Sequence, residues 1–547
     1  MARAPHSLRD LTRWPVLAAA ALGRQMQREW RAGPAHQLVI GRPATDGLAI
    51  RPRDLRPPDA KAGARLLAGD FSFVGEALDV GPGGDPWRRA LPSRRFAVAL
   101  HGFDWIRDLI AAGDGGAREA LRLWLEWRAV YGRYNAFAWS GEALERRVFN
   151  LAASAAVLAP LVSDAEGAAF VADLARQARH LLGEPDGPDR AAERAAVAAL
   201  VGAALSGRAG EGLRAKALPR LERLLPLAVL RDGVHASRSP ERGLELLFDL
   251  LALDDALSQL GAPAPVEVSR AVDRLSAATR FFVLGDGRLP AFQGGEPGSP
   301  VRIAAALALD AAEHPPPKSV PYGGYHRLEG HGMQIIADAG EIGSQLGGAV
   351  ACLQPGALSV VCEGRRLIAG SAWSAKAAGA PASLRLPAGG SCLALADALP
   401  LPAACKAERQ ESPDAVWLES SHDGWRALGF DCTRRLFLDT VAGELRGEDV
   451  LTPIGRPRGG PVQFAISFHL APDVAAQLSA DGKSALLRPG GRGRGWRLRG
   501  DAAGLDLGAG VAFEAGEPRA AQVLTMVGLA SPTDSARIRW KLSRDVG

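Results

Sequence analysis

"HPPPKSVPYGGYHRLEGHGMQIIADAG", His314 to Gly340, decides the fold. Three prolines in a row fix φ and remove backbone donors, so no helix continues through Pro315–Pro317. Upstream of this break, apolar residues recur at three- and four-residue spacing. Downstream, in "YHRLEGHGMQIIADAG" and beyond, apolar and polar residues alternate. A change of period from 3.6 to 2 at one proline-rich point separates a helical unit from a strand unit. Helices first and strands after them exclude a doubly wound α/β sheet.

Working back from the break, the segments "HGFDWIRDLIAAG", "GAREALRLWLEWRAVYGRY", "GEALERRVFNLAASAAVLAPLV", "AAFVADLARQARHLLG" and "RAAERAAVAALVGAAL" each carry a helical stripe. "GLRAKALPRLERLLPLAVL", "ERGLELLFDLLALDDALSQLG", "VEVSRAVDRLSAATRFFVLG" and "SPVRIAAALALDAAE" extend the series to about residue 313. Nine or so amphipathic helices with almost no strand between them indicate an all-α unit, as a helical toroid or a stacked-hairpin solenoid. The first hundred residues are richer in proline and arginine, with strand-like pieces in "HQLVIGRP" and "GDFSFVGEALDV", and suggest an irregular arm or cover. Forward of the break, "ALSVVCEGRRLIAGSA", "SLRLPAG", "VWLESSHDGW", "RRLFLDTVAGELRGEDVLTP", "QFAISFHLAP" and "ARIRWKLSRD" alternate between glycine-rich turns, the pattern of an antiparallel β-sandwich. The expected organisation is α+β and multidomain. The arm covers residues 1–100, the helices 101–313, a linker 314–322 and the sandwich 323–547.

The totals agree with two units. The chain has 547 residues, 47% of them hydrophobic, and a formal net charge of +5. That mild, dispersed excess argues against nucleic acid as partner and suits an acidic substrate gripped by a few arginines. All five cysteines lie between Cys352 and Cys432 without a CxxC pair, so buried free thiols are expected rather than a zinc ribbon or disulfide framework. The N-terminal "MARAPHSLRDLTRWPVLAAAALGRQMQREW" lacks a clear cleavage site and reads as a basic amphipathic helix. No stretch reaches the length of a membrane span.

Several segments carry a family resemblance. "DGVHASRSP" and the leucine-rich helix after it, "FFVLGDGRLPAFQGG", "GGYHRLEGHGMQIIADAG", "ALSVVCEGRRLIAG" and "SHDGWRALGFDCTRRLFLDTVAGELRGEDVL", continued by "FAISFHLAPDVAAQLSADGKSALLR", resemble successive motifs of the heparinase II/III-like family, in order, from about residue 69 to the C-terminus. The resemblance implies an incomplete (α/α) toroid, a β-sandwich, and β-elimination on uronic-acid polysaccharides in the groove between them. Such chemistry needs a group on the uronate carboxylate, a base for the C5 proton and an acid for the leaving oxygen.

On that reading His235 is the base, and Tyr134, chosen among only four tyrosines, is the acid. Arg238, Trp139, Arg147, Asn150, Gln354 and His422 are the substrate-binding residues. Each has a structural alternative. His235 can brace the helix that starts near Pro240, and Arg238 can pair with Asp232 or Glu241. Trp139 can pack in the core, Arg147 and Asn150 can brace a neighbouring helix, and His422 can be structural. His469, in "ISFHL", reads as an ordinary sandwich residue.

Departures from the family pattern weaken the chemistry. No tyrosine follows "RSP", and "GPDRAAERAAV" has no Asn-His pair. Gln354 stands where a histidine is typical and cannot exchange a proton near neutrality. Cys432 replaces the second sandwich histidine, which puts a family metal site in doubt. No cofactor is required. A structural divalent metal on His326 and His331 lacks a third ligand. The partner implied is an anionic polysaccharide or oligosaccharide. Related lyases meet their polymer outside the cytoplasm, which implies a periplasmic or extracellular protein. The absence of a clear signal peptide leaves a cytoplasmic one open.

Three functions follow. One is a lyase. The second is a non-catalytic saccharide-binding or polymer-handling protein on the same scaffold. The third is a glycoside hydrolase, for which Asp232, Glu142 and Asp104 are eligible carboxylates.

Overall fold

The computed structural model describes residues 14–184, 188–309, 315–343, 352–456, 459–490 and 495–545. The first thirteen residues, the end of the helical unit (310–313) and the first linker residue, His314, lie outside them. Helices dominate as far as Pro300–Leu307, and antiparallel strands dominate from Ser319–Val320 onward. The change of period at the prolines therefore marks the change of architecture.

The helices form where the stripes predict them. Helix Pro240–Gln259 starts behind Ser239 with proline in its first turn, where a missing N–H is harmless. Leu244, Leu247, Phe248 and Leu251 then recur at i, i+3, i+4 and i+7, and all are buried. Fully burying each such side chain contributes about 1.5–3 kcal/mol. Helix Asp164–Leu182 opens with a reciprocal capping box between Ser163 and Glu166.

Two expectations are corrected. "HQLVI" falls in helix Pro34–Ile40, not a strand. Pro34 in its first turn pre-sets the helical φ, and Gly41 closes it. "SLRLPAG" forms two 3-10 turns, Ala382–Arg385 and Pro387–Gly389, because Pro381 and Pro387 interrupt any ladder. "GDFSFVGEALDV" does form a hairpin, Asp70–Phe73 with Glu76–Asp79. Helix Trp14–Ala32 carries Leu22, Met26 and Trp30 exposed along one side.

The strands make two large antiparallel sheets. The eight-stranded one runs through Val474–Leu478, Ser484–Pro489, Trp496–Gly500, Ala536–Arg544, Glu444–Pro453, Phe430–Asp439, Ala415–His422 and Cys405–Ser412. The nine-stranded one runs through Leu505–Glu514, Glu517–Ala530, Val462–Leu470, Arg365–Ala369, Leu358–Cys362, Met333–Asp338, Tyr325–Gly330 and Ser319–Val320, with Leu393–Leu395 paired onto Val462–Leu470. Strand Phe430–Asp439 alternates strictly between buried and half-buried residues, as a sheet with one wet face requires. Residues from both sheets, among them Leu328, Ile335, Leu436, Phe468 and Trp540, share one apolar core. The nine-stranded sheet also faces the helices: Tyr325, Ile336 and Val361 belong to the helical core.

The seam between helices and sheet is polar at its edges and aromatic at its centre. Tyr325 stacks on Phe292 at 5.2 Å, meets Phe282 edge-on, and donates its hydroxyl proton to the Arg238 carbonyl at 2.8 Å. Arg327 donates to the Phe281 and Val283 carbonyls at 2.8 and 2.9 Å, closing the C-terminus of helix Val266–Phe282. Arg366 binds Asp286 at 2.8 Å and the Leu289 carbonyl at 2.7 Å. Arg238 crosses the seam to Asp338 and the Gly323 carbonyl. A Cβ on Gly340 would collide with the Arg238 guanidinium, so a side chain there displaces Arg238 from this approach.

Gly340→Ala should therefore act through Arg238. We expect Gly340→Ala and Arg238→Ala each to destabilise by about 3–5 kcal/mol in chemical denaturation, the scale of breaking a buried ion pair. The double variant should lose little more than the worse single one. Additive losses would mean that the two residues act separately.

Candidate functional site

His235 follows the tight turn at Gly233, whose φ is +86°. It bridges back to Val229 at the end of the preceding helix. Its Nδ1 accepts the Ser237 amide at 3.1 Å and lies 2.7 Å from the Ser237 hydroxyl. An accepting Nδ1 assigns the proton to Nε2 in the neutral ring. Nε2 lies 3.8 Å from Glu193 Oε1, and the side chain is fully buried. Glu193 is on helix Pro188–Ala204, in the "GPDRAAERAAV" stretch that lacks the Asn-His pair. Arg242 holds Glu193 with two bonds of 2.8 and 3.1 Å, and Arg190 reaches both Glu193 and Glu145.

Two carboxylates share this pocket of charge with opposite fates. Burial pushes Glu145 above the ordinary carboxylate range. The Glu193 and Asp249 charges push it the same way, against Arg190. Burial also works against an ionised Glu193, but Arg242, Arg190 and His235 hold it well below that range.

The other predicted residues are placed as follows. Arg238 spans the seam and does not pair with Asp232 or Glu241. Asp232 instead accepts the Gly323 amide at 2.9 Å, and Glu241 accepts from Lys376 at 2.5 Å. Arg147 is buried over the Trp127 ring and donates to Gln177 at 2.7 Å and to the His101 carbonyl at 3.1 Å. Burial lowers its pKa to about 9. Asn150 donates to the Gly102 carbonyl at 2.9 Å and to Asp104 at 3.1 Å. Trp139 is buried with its indole N–H on the Tyr131 carbonyl. Tyr134 packs against Trp139 and His180, in an aromatic group that also takes in His36. Gln354 donates to the Leu384 and Leu386 carbonyls at 2.7 and 3.3 Å.

His422 accepts the Gly424 amide at 3.2 Å, and burial lowers its pKa to about 4. It stands opposite Cys432 on one side and Cys405 on the other. Among the described residues, no group of three or more His, Cys, Asp or Glu is arranged to hold a metal. His326 is buried on strand Tyr325–Gly330, and burial and Arg409 lower its pKa to about 4. His331 sits in the following turn at φ +46°. The cysteines are all free, four of them buried.

The structure thus gathers His235 with Ser237, Glu193 and Arg242, and gathers Tyr134 with Trp139 and His180. Arg147 and Asn150 share a third group around Gly102 and Asp104. The larger surprise is a buried ion-pair network that sequence reading missed. Arg56, from the arm, reaches Asp249 at 2.6 Å and Glu245 and Asp54 at 3.2 Å. Arg146 reaches Asp249 at 2.9 Å, and Arg302 reaches Glu245 at 2.5 Å. The signal was there as polar residues within strongly apolar helices, such as Glu245 and Asp249 in "GLELLFDLL". Their partners lie up to 193 positions away, beyond any local pattern.

Three comparisons bear on this site. A family model described as "Heparinase II/III-like, C-terminal" matches residues 312–541. FtsZ-localized protein C of Caulobacter vibrioides (strain NA1000 / CB15N) is 46% identical over 99% of this chain and 98% of its own. Among solved structures, heparinase III superposes with a TM-score of 0.72 at 14% identity, covering 89% of this chain and 85% of that one. A mutant heparan sulfate lyase HepC from Pedobacter heparinus gives 0.60 at 13%, covering 94% and 87%. At those identities the structures attest the fold alone.

Glu145 offers a pH test of the buried centre. Its folded pKa is raised above the ordinary value of 4.5, so the fold keeps a proton that the unfolded chain releases. Its contribution therefore weakens as pH rises above that value. Glu145→Gln should gain stability relative to wild type between about pH 5 and about pH 8, read by denaturation at each pH. A difference that stays constant or shrinks would contradict the shift.

Proposed function

The chain belongs to the heparinase II/III-like family, and from that premise we propose a non-catalytic member: a binding protein on the lyase scaffold that gathers where FtsZ does. We read the helical unit (residues 101–313) as an incomplete (α/α) toroid behind the arm (1–100). The linker (314–322) then leads to a sandwich (323–547) made by the two sheets.

One observation carries the reading. The base and most of the binding groups that β-elimination would need are already engaged inside the protein. The His235 side chain is fully buried beside Glu193. Gln354 and Asn150 bind backbone carbonyls, and Arg147 and Arg238 are bound to internal acceptors. A base or carboxylate grip must reach its substrate within about 3 Å, which these atoms do only after their present bonds break. The FtsZ element comes from the full-length relative, whose name records that localisation.

A lyase reading has one observation in its favour. A carboxylate near an imidazole raises its basicity, and Glu193 stands close to His235 Nε2. In that reading His235 takes the C5 proton, Tyr134 protonates the leaving oxygen, and the substrate is a uronate polysaccharide.

Two measurements separate the readings. Incubation with a panel of uronate polymers, followed by ultraviolet absorbance of unsaturated product, should give no signal. A fluorescent fusion should coincide with FtsZ in cells of its source organism. Product that disappears in His235→Ala would establish the lyase, and a fusion spread evenly through the cell would remove the FtsZ element.

A further inference from the structure

We infer that the outward face of the eight-stranded sheet is a docking surface for an extended acidic peptide segment of a protein partner. The inference rests on the reading of the chain as a binding protein and assigns that binding to a face remote from the buried centre.

The geometry follows from strand register. Trp417 pairs with Phe437, Phe437 with Arg446, Arg446 with Lys541, and Lys541 with Arg499. Directly opposed residues share a face, so these five form one row across five strands. At about 4.8 Å per strand the row is roughly 19 Å long. Its members alternate with the buried Leu436, Leu445 and Leu542, which point into the core. The row therefore looks outward. Two half-buried aromatics begin it, and three cations end it.

A shallow hollow of about 470 Å³ lies along the cationic end. Its lining includes five cations, Arg435, Arg446, Arg499, Arg539 and Lys541, against two carboxylates, Glu448 and Asp501. Those carboxylates are committed. Glu448 is shared by Arg435, Arg537 and Arg539, and Asp501 accepts the Arg539 amide at 2.7 Å. Outside the hollow, Glu444 serves both Arg446 and Lys541, and Glu419 pairs with Arg435. Among the described residues Arg499 has no ion pair, and it is exposed. With Arg537, six cations face the four carboxylates Glu419, Glu444, Glu448 and Asp501, which leaves an excess of two positive charges, with Arg499 outside every described ion pair and its forked guanidinium matched to a carboxylate.

A peptide fits better than a sugar chain here. Glycan stacking needs an open aromatic face, and the Arg446 guanidinium lies 5.7 Å over the Phe437 ring. An extended peptide needs only apolar contact at the Trp417 end and carboxylates at the Arg446–Arg499 end.

The test uses the full chain and a fluorescein-labelled peptide of two leucines followed by six glutamates. Oligogalacturonate and a lysine counterpart of the peptide serve as competitors. The acidic peptide should bind, and the triple variant Arg446→Glu, Lys541→Glu, Arg499→Glu should weaken it at least tenfold, about 1.4 kcal/mol. Unchanged melting temperature and Arg→Ala versions of the same variant guard against misfolding. Equal binding by variant and wild type, failure of the wild type to bind the peptide, or stronger binding of oligogalacturonate that the same variant abolishes would each overturn the proposal. The broader reading is scored separately. A wild-type fusion that misses FtsZ sinks that reading. One that coincides with FtsZ while the triple variant binds peptide normally sinks only this face.

Discussion

The structure depends on how the helical unit is fastened to a sheet that would otherwise expose one of its faces. Arg327, Arg366 and Arg238 do this by donating to backbone carbonyls and carboxylates across the seam. A helix ends with carbonyls that lack partners, and a strand residue with a long cationic arm can satisfy them from outside. Tyr325 sits among these arginines as the apolar centre, with its hydroxyl tied to Arg238. Because Arg238 immediately follows the His235 loop, the seam also fixes where His235 sits. Position 235 is held by architecture before any question of chemistry arises.

The helical unit answers a harder problem, which is how to bury so much charge. An unpaired ion in the interior is costly, and buried pairs repay the cost only when their remaining bonds are met. Arg56, Asp249, Arg146 and Glu245 meet it by sharing, each ion touching two or more of the opposite sign. The arm is consequently part of the core's electrostatics, since Arg56 neutralises carboxylates on helix Pro240–Gln259. Where sharing is incomplete, around Glu145, burial raises the pKa of the carboxyl.

Much of the fold was legible. The proline break, the helical stripes and the period-two alternation each follow from local chemistry, and each appears where expected. The failures were also local. "HQLVI" is apolar enough for a strand, but Pro34 starts a helix there. "SLRLPAG" alternates like a strand, but its prolines force turns. The types of the residues matched to the family motifs were legible as well. Their burial was not, because an exposed loop and a capped one have the same sequence. The Glu193 side chain that covers His235 comes from a helix more than forty positions earlier, and no spacing rule connects them.

By itself the sequence determined the order of two unlike units, the phase of each buried face, and the family motifs that link them. These depend on periodicity and on the limited torsions of proline and glycine, which operate over a few residues. Tertiary structure alone decided which polar groups find one another. It paired Arg56 with Asp249, Arg238 with Asp338, and Lys541 with Glu444, and it lined Trp417, Phe437, Arg446, Lys541 and Arg499 into one row. The reason is physical. Electrostatic contact depends on distance in space, and strand register brings together side chains that the chain separates by many residues.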